Sequence, residues 1–539
     1  MKKLLIIVAF LLASKQYGQH HSKMTVEVNA VEKVLNVEQE IVFFNQSKDT
    51  LSTLVLNNWM HGYSNVNSAL AKRFSDEFYR GFHLASESER GDTQNLLIKD
   101  SNNLEFEAPK APNFQDLIIV NLKQKLAPNQ KVSLFCSYKV KIPSDKFTKY
   151  GYNDKGVLNL KDWYLTPARY TEEGFVKYEN ENLDDIANAP SDFEIELKVP
   201  KGYWVTSDLD MSLVSNSNPN ILDIYHLDGK NRTQFELFVE KENSFVSIKN
   251  QTFEVLTNID DNKINNNQKG NIVDRVVRFA TTLIGQYPYK KIVISETDYE
   301  RNPFYGLNQL PSFISPFTNE FTYEIKFLKT YLNVFLKNSL VLDQRKQAWI
   351  YDAIQVYTMM KYIENNHPDS KMLGSLSQYK LLKGFNLTKL GFNEQYSYYY
   401  MLMARKNLDQ PLNSPKNTLI KFNEQIASKY RAGLSLRYLD NYLQKDVVNN
   451  SIKELYNQKN ASFTAFETIL KQKTTQNIDW FFATIIGSRD IIDYKFNSVS
   501  KTKDSISFTL KNRTKVAVPM PIYGIKNGEI VFKKWIEPT

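Results

Sequence analysis

The chain of 539 residues contains a single cysteine, Cys136. No intramolecular disulfide can form, and no cysteine-based metal cluster can be assembled. Cys136 lies in "KVSLFCSYKVKIP", whose alternation of apolar and polar residues predicts a strand, so a buried and unreactive thiol is expected rather than a nucleophile. Histidine is also scarce: the six are His20, His21, His61, His83, His226 and His367. Past the N-terminus no apolar run approaches twenty residues, and the mean hydropathy is −0.44, which argues against a second membrane-spanning segment and for a soluble bulk. No basic stripe interleaved with aromatics is present, so nucleic acid is not an expected partner. Internal repeats and low-complexity segments are absent as well.

The chain does contain ample material for large cores, with 42% hydrophobic and 13% aromatic residues; length alone suggests about two to four domains. The opening "MKKLLIIVAFLLASKQYGQ" places Lys2 and Lys3 before an apolar core from Leu4 to Ala13 and a short polar stretch, the order of a secretory signal peptide over residues 1–18, with cleavage near Gly18. An uncleaved anchor helix is the alternative, for which the apolar core is short. No cysteine adjoins the cleavage region, so no lipoprotein anchor is expected. Export implies a periplasmic or outer-envelope location. Losing Lys2, Lys3 and Lys15 with the leader lowers the formal charge from +9 to +6.

Residues 24–257 read as a β-rich domain: "MTVEVNA", "VLNVEQEIVFFNQS", "LIIVNLKQKL", "FEIELKVP" and "TQFELFVEKENSFVSI" alternate between Asn, Pro, Gly and Asp breakers. Then "NNQKGNIVDRVVRFATTLIGQYPYKKIVISETD" reads as a helix from Ile272 to Ile284, a break at Gly285 and Pro288, and a strand from Lys291 to Glu296. Helices dominate from Tyr323 to about Gly487. In the first, Leu328, Tyr331, Leu332, Phe335 and Leu336 form a buried stripe; in the second, near Gln347 to Glu364, Ile350, Ala353, Ile354 and Tyr357 do the same. After Ile491 four short strands follow, few for an independent sandwich.

This order, together with local motifs, resembles the gluzincin aminopeptidases, the family of aminopeptidase N, over nearly the whole chain after the leader. "QYPYKKIVISETD" is similar to the helix end and strand before the family's substrate loop, "YGLNQLPSFI" to its Gly-Met-Glu-Asn loop, and "QAWIYDAIQVYTMMKYIE" to the helix W-L-x-E-G-x-x-x-Y, with Trp349 and Tyr357 in place. The resemblance implies an α+β multidomain fold: a β-rich N-terminal domain, a thermolysin-like mixed lobe with a helical extension over 258–490, and a partial β-module over 491–539. The family holds zinc with H-E-x-x-H on one helix and a glutamate on the next. Two imidazoles at i and i+4 share a helix face, the third ligand leaves one position for water, and the glutamate inside the motif is the general base.

Laid on that spacing, Trp349 puts the distal glutamate position at Asp352, the histidine positions at Lys329 and Asn333, and the base at Thr330. "KTYLN" thus stands where H-E-x-x-H is expected. An ammonium has no lone pair and repels zinc, an amide is a weak ligand, and a threonine is no base near neutrality. None of the six histidines lies on this helix; only Asp352 could still bind a cation, and it is expected rather to pair with Lys329 in the emptied cavity. In the substrate loop Gly306 matches, but Asn308 replaces the glutamate that holds a peptide's amino group, so charge pairing is lost. "SKYRAG" is similar to the family's Y-x-x-G and places Tyr430 at its oxyanion tyrosine; a purely structural tyrosine is the equal alternative.

Three readings remain open. The chain is a non-catalytic peptidase homologue that binds a peptide or protein ligand, with no cofactor expected; or an active aminopeptidase that keeps zinc with non-standard ligands; or a structural subunit of an envelope assembly whose partner covers the C-terminal β-module. An unpaired edge in that module is expected, because four strands leave one open.

Overall fold

The computed structural model describes residues 19–537 except 108–109, 112–113, 215–221, 250–252, 308–314, 381–385, 459–462 and 528. The leader therefore lies outside the described residues. The chain forms two compact units, residues up to Ser247 and residues from Ile248 onward.

The first unit is built on a seven-stranded sheet in the order Asp210–Val214, Leu222–Arg232, Ser191–Pro200, His20–Asn29, Val34–Phe44, Lys131–Lys141 and Asp92–Lys99. His20–Asn29 runs parallel to Ser191–Pro200 and antiparallel to Val34–Phe44. The period-2 pattern is the cause: Met24, Val26 and Val28 point into the core while Lys23, Thr25 and Glu27 face outward. Two four-stranded sheets and a short two-stranded one complete the described β-rich unit, whose core includes the buried aromatics Trp163, Phe193 and Phe235. Cys136 is buried in the sheet, and burial pushes its thiol up to about 12. His20 starts the first strand, where burial lowers its imidazole to about 4.

The boundary expected at 257 moves to 247. Glu254–Thr257 pairs in parallel with Lys291–Ile294, so these residues join the second unit; the alternation in their sequence reports a strand but not which sheet it enters. Helix α1 (Asn266–Leu283) begins earlier than its apolar pattern, because Asn265 and Gln268 cap each other's backbone N–H groups at 2.9 and 3.1 Å. Helix α2 (Asn319–Ser339) starts at Thr318, whose hydroxyl accepts from the Phe321 N–H at 3.2 Å. Helix α3 (Ala348–Asn366) is buried on nearly every side, as suits a helix apolar all round.

Helix α4 (Glu394–Ala404) and helix α5 (Ser428–Leu443) follow, the latter continuing a π-helical turn at Asn423–Ala427. Gly433 brings α5 against α3: a Cβ there would lie 2.3 Å from Val356 Cγ1. Only a residue without a side chain permits that approach. No described helix is long and apolar enough to cross a membrane.

The chain closes with two separate hairpins, Tyr494–Lys501 with Ile506–Asn512 and Met520–Lys526 with Glu529–Ile536. The second packs on α5, where the Trp535 indole donates to the Asn441 carbonyl at 3.2 Å and the Tyr442 hydroxyl donates to Glu537 at 2.6 Å. Among the described residues neither hairpin joins another strand, so each has two open edges.

Candidate functional site

Lys329 and Thr330 lie on the middle of α2, with Asn333 one turn further on; Asp352 lies in the first turn and a half of α3. The two helices are clasped where the Gln355 side chain donates to the Lys329 carbonyl at 2.9 Å. Lys329 is buried, and its ammonium donates to the backbone carbonyl of Asn302. From α5 the Lys429 ammonium donates to the same residue's side-chain oxygen at 3.3 Å. Two cationic side chains thus converge on one asparagine.

Burial, and after it the neighbouring Lys429, holds the Lys329 amine well below the usual lysine range, with Asp352 pulling the other way. Burial likewise raises the Asp352 carboxyl, opposed first by Lys429 and Lys416 and less by Lys329. The ion pair expected between Lys329 and Asp352 is not formed: Lys329 is turned to Asn302, and Lys429 is the cation that acts most on Asp352. A backbone carbonyl satisfies the ammonium without the second desolvation that a buried ion pair requires. The Thr330 hydroxyl donates back to the Lys326 carbonyl at 2.9 Å, the i−4 bond common for threonine inside helices.

The residues present do not fit zinc. The site offers one partly buried carboxylate, one amide, a hydroxyl tied to its own helix and two amines that approach from α2 and α5. Among the described residues no group of three or more His, Cys, Asp or Glu side chains is placed to hold a metal ion. None of the six histidines lies on α2 or α3. His61 meets Asp92 at 2.6 Å, His83 meets Ser75 at 3.2 Å, His20 accepts from the Phe44 N–H at 3.2 Å, and His21 is 3.9 Å from Glu194.

Tyr430 is buried on α5, edge-on to Tyr396 with ring centroids 4.8 Å apart. Burial raises its phenol well above the ordinary range, and its hydroxyl is hydrogen-bonded to the Tyr305 backbone. Gly306 sits in the short helical turn Tyr305–Leu307, where a Cβ would fall 1.9 Å from the Gln395 side-chain oxygen. Asn308 lies outside the described residues. Beside the two lysines a cavity of about 350 Å³ is lined by Arg301, Asn302, Pro303, Tyr305, Phe422 and Ile426. Asn302 and Lys429 were not singled out from the sequence, although Lys429 directly precedes Tyr430 in "SKYRAG". Asn302 bears on the site only because the loop after Glu296–Arg301 returns to α2.

A larger cavity of about 660 Å³ opens elsewhere in this unit, between α1, the start of α2 and the segment after α3. On its floor Glu324, 2% exposed, takes bonds from Arg275 at 2.9 and 2.7 Å and from the Tyr362 hydroxyl, with His367 at 3.2 Å. Burial alone would raise the Glu324 carboxyl, but His367, Arg275 and Tyr362 together hold it below the usual range.

The fold these elements define is that of the M1 zinc metallopeptidases: a multidomain α+β chain with a β-rich N-terminal unit and a largely helical C-terminal part. Among solved structures the chain is similar to the M1 zinc metallopeptidase of Deinococcus radiodurans, with a TM-score of 0.53 and 12% identity over 88% of this chain and 94% of that one. A point mutant of that enzyme bound to a Tyr-Ser-Ala substrate is similar with a TM-score of 0.52 and 11% identity, over 88% of this chain and 95% of that one. At such identities the likeness speaks to fold alone. No family model and no curated protein sequence matches the chain.

Proposed function

We propose that this protein is an exported, non-catalytic relative of the zinc aminopeptidases that binds a peptide or protein segment at the cavity beside Lys329 and Lys429. One observation supports the reading: Lys329, at the position that the family resemblance assigns to a metal ligand, and Lys429 from α5 converge on Asn302. Positive groups there oppose a divalent cation and favour a ligand that offers carbonyl or carboxylate oxygens. The neighbouring cavity supplies an apolar wall from Tyr305, Phe422 and Ile426 with Arg301 and Asn302 beside it, a pattern suited to an extended peptide. Tyr430 cannot stand in for the missing chemistry, because an oxyanion donor stabilises charge only after a nucleophile has been activated.

The test combines metal analysis of the purified protein, an aminopeptidase assay and peptide binding by Lys329→Ala. The reading expects no stoichiometric zinc, no hydrolysis, and a folded variant with altered peptide affinity. Stoichiometric zinc together with hydrolysis that chelators abolish would sink it. Export is tested separately by mass spectrometry of the protein from the cell envelope, where a new N-terminus near Gly18 is expected and an intact Met1 speaks against the leader.

A further inference from the structure

The larger cavity, of about 660 Å³, lies outside the proposed peptide site and presents a guanidinium edge that no described residue uses. Arg275 of α1 commits the opposite edge to Glu324: Nε and Nη2 donate to the two carboxylate oxygens at 2.9 and 2.7 Å. Nε also donates to the Tyr362 hydroxyl at 3.1 Å. Glu324 is itself buried, with the Tyr362 hydroxyl donating to it and His367 at 3.2 Å, so the clasp rests on a fixed floor. Among the described residues nothing accepts from Nη1, while the Arg275 side chain is 42% exposed and lines the cavity. A guanidinium oriented by one carboxylate and open along its outer edge offers a planar fork to a second one.

We propose that this cavity binds an acidic sugar, a hydroxylated ring bearing one carboxylate, with the carboxylate seated on the open edge of Arg275. Charge excludes a more highly charged anion. A phosphate dianion would meet Glu324, Glu320 and Asp369 around the cavity, at about twice the repulsion that a single carboxylate meets. The rest of the lining selects for hydroxyl groups. Asn271, Ser370, Ser375 and Gln378 line the cavity with neutral side chains that both donate and accept, and none of them bonds a described residue. A ring rich in hydroxyls answers such groups at several points, whereas a hydrocarbon chain would leave them unpaired. Glu320 is already taken by the Gln268 amide, which leaves Asp369 as the exposed acceptor. Lys371, two residues on, lines the same cavity and opposes the ammonium of an amino acid there, but not a neutral hydroxyl. The volume lies in the range of about 300–1,000 Å³ that small ligands occupy.

Calorimetric titration of the full-length protein with glucuronic acid and with galacturonic acid tests this, with glucose, inorganic phosphate and serine as controls. The better of the two uronic acids should bind about tenfold more tightly than any control. Arg275→Lys keeps a cation beside Glu324 but removes the planar fork, and should weaken uronate binding about tenfold. Because Arg275 also braces a buried carboxylate, a second variant avoids that cluster. Asn271→Ala with Gln378→Ala removes two exposed amides and should weaken binding several-fold with an unchanged melting temperature. No uronate binding at millimolar concentration, glucose binding as tight as uronate, or binding indifferent to the amide variant or to a folded Arg275→Lys overturns the proposal. Phosphate bound more tightly than either uronate assigns the fork to phosphate esters, and serine bound more tightly assigns the cavity to amino acids. Either result overturns the proposal equally.

Discussion

Lys329→Met isolates the electrostatic state of the lysine pair. Methionine keeps much of the length and volume of the side chain, so α2 keeps its packing, while the ammonium that donates to Asn302 disappears. The folded-state amine of Lys329 is lowered well below its ordinary value by burial and by Lys429, whereas the unfolded chain has an ordinary lysine. Between the lowered folded value and the unfolded one, the unfolded chain therefore binds more protons, and stability rises with pH. The slope for one such group is up to about 1.4 kcal/mol per pH unit. Below the folded value the penalty is complete and flat; above about 10.4 it is gone. Wild type should accordingly gain stability relative to Lys329→Met as pH is raised toward 10, and the loss of the Asn302 bond adds only an offset. Urea unfolding midpoints of both proteins at matched ionic strength, from pH 7 to pH 10, read the difference directly. Groups elsewhere titrate in both proteins and cancel. A difference that stays flat over this range, or that shrinks as pH rises, would refute the buried-lysine reasoning.

Gly433→Ala should cost about 1–3 kcal/mol, seen as a lower melting temperature, because the new methyl meets Val356 at 2.3 Å and overpacks the contact of α3 with α5. Glu324→Gln should cost roughly 1.5–3 kcal/mol near neutrality, since it removes charge-assisted bonds from Arg275 and Tyr362. The folded carboxyl lies below its ordinary value, so wild type should lose this advantage over Glu324→Gln as pH falls from the unfolded carboxylate range through the folded one; an advantage that grows on acidification contradicts the assignment. Lys329→His, Thr330→Glu, Asn333→His and Asp352→Glu together should bind about one zinc per chain by metal analysis, because they restore ligands at i and i+4 of α2 and a third on α3. A folded quadruple variant that binds none would remove the basis for placing these residues at a former metal centre.

Much of the architecture was legible because it rests on local periodicity. Period-2 runs mark strands such as Met24–Val28, and the stripe through Leu328, Leu332 and Phe335 marks α2. Misjudged points were those where a different force decides. The polar first turn of α1 is held by a reciprocal cap rather than by apolar spacing. The strand at Glu254–Thr257 enters the second unit through a parallel pairing with Lys291–Ile294, which no local pattern announces.

At the site, "KTYLN" by itself offers no imidazole and no carboxylate, because lone pairs belong to side-chain types and are not created by folding. The sequence alone also determined the amphipathic alternation of the last hairpins and their excess of lysine. What only the tertiary structure decided is where the remaining charges turn. Lys329, Asn302 and Lys429 are brought together from α2, a loop and α5, and a buried ammonium is stable only where oxygen atoms replace its lost water. The Asn302 carbonyl provides that replacement, so Lys329 turns to it and not to Asp352. Such a choice depends on distances between segments far apart in the chain, and those exist only once the helices have packed.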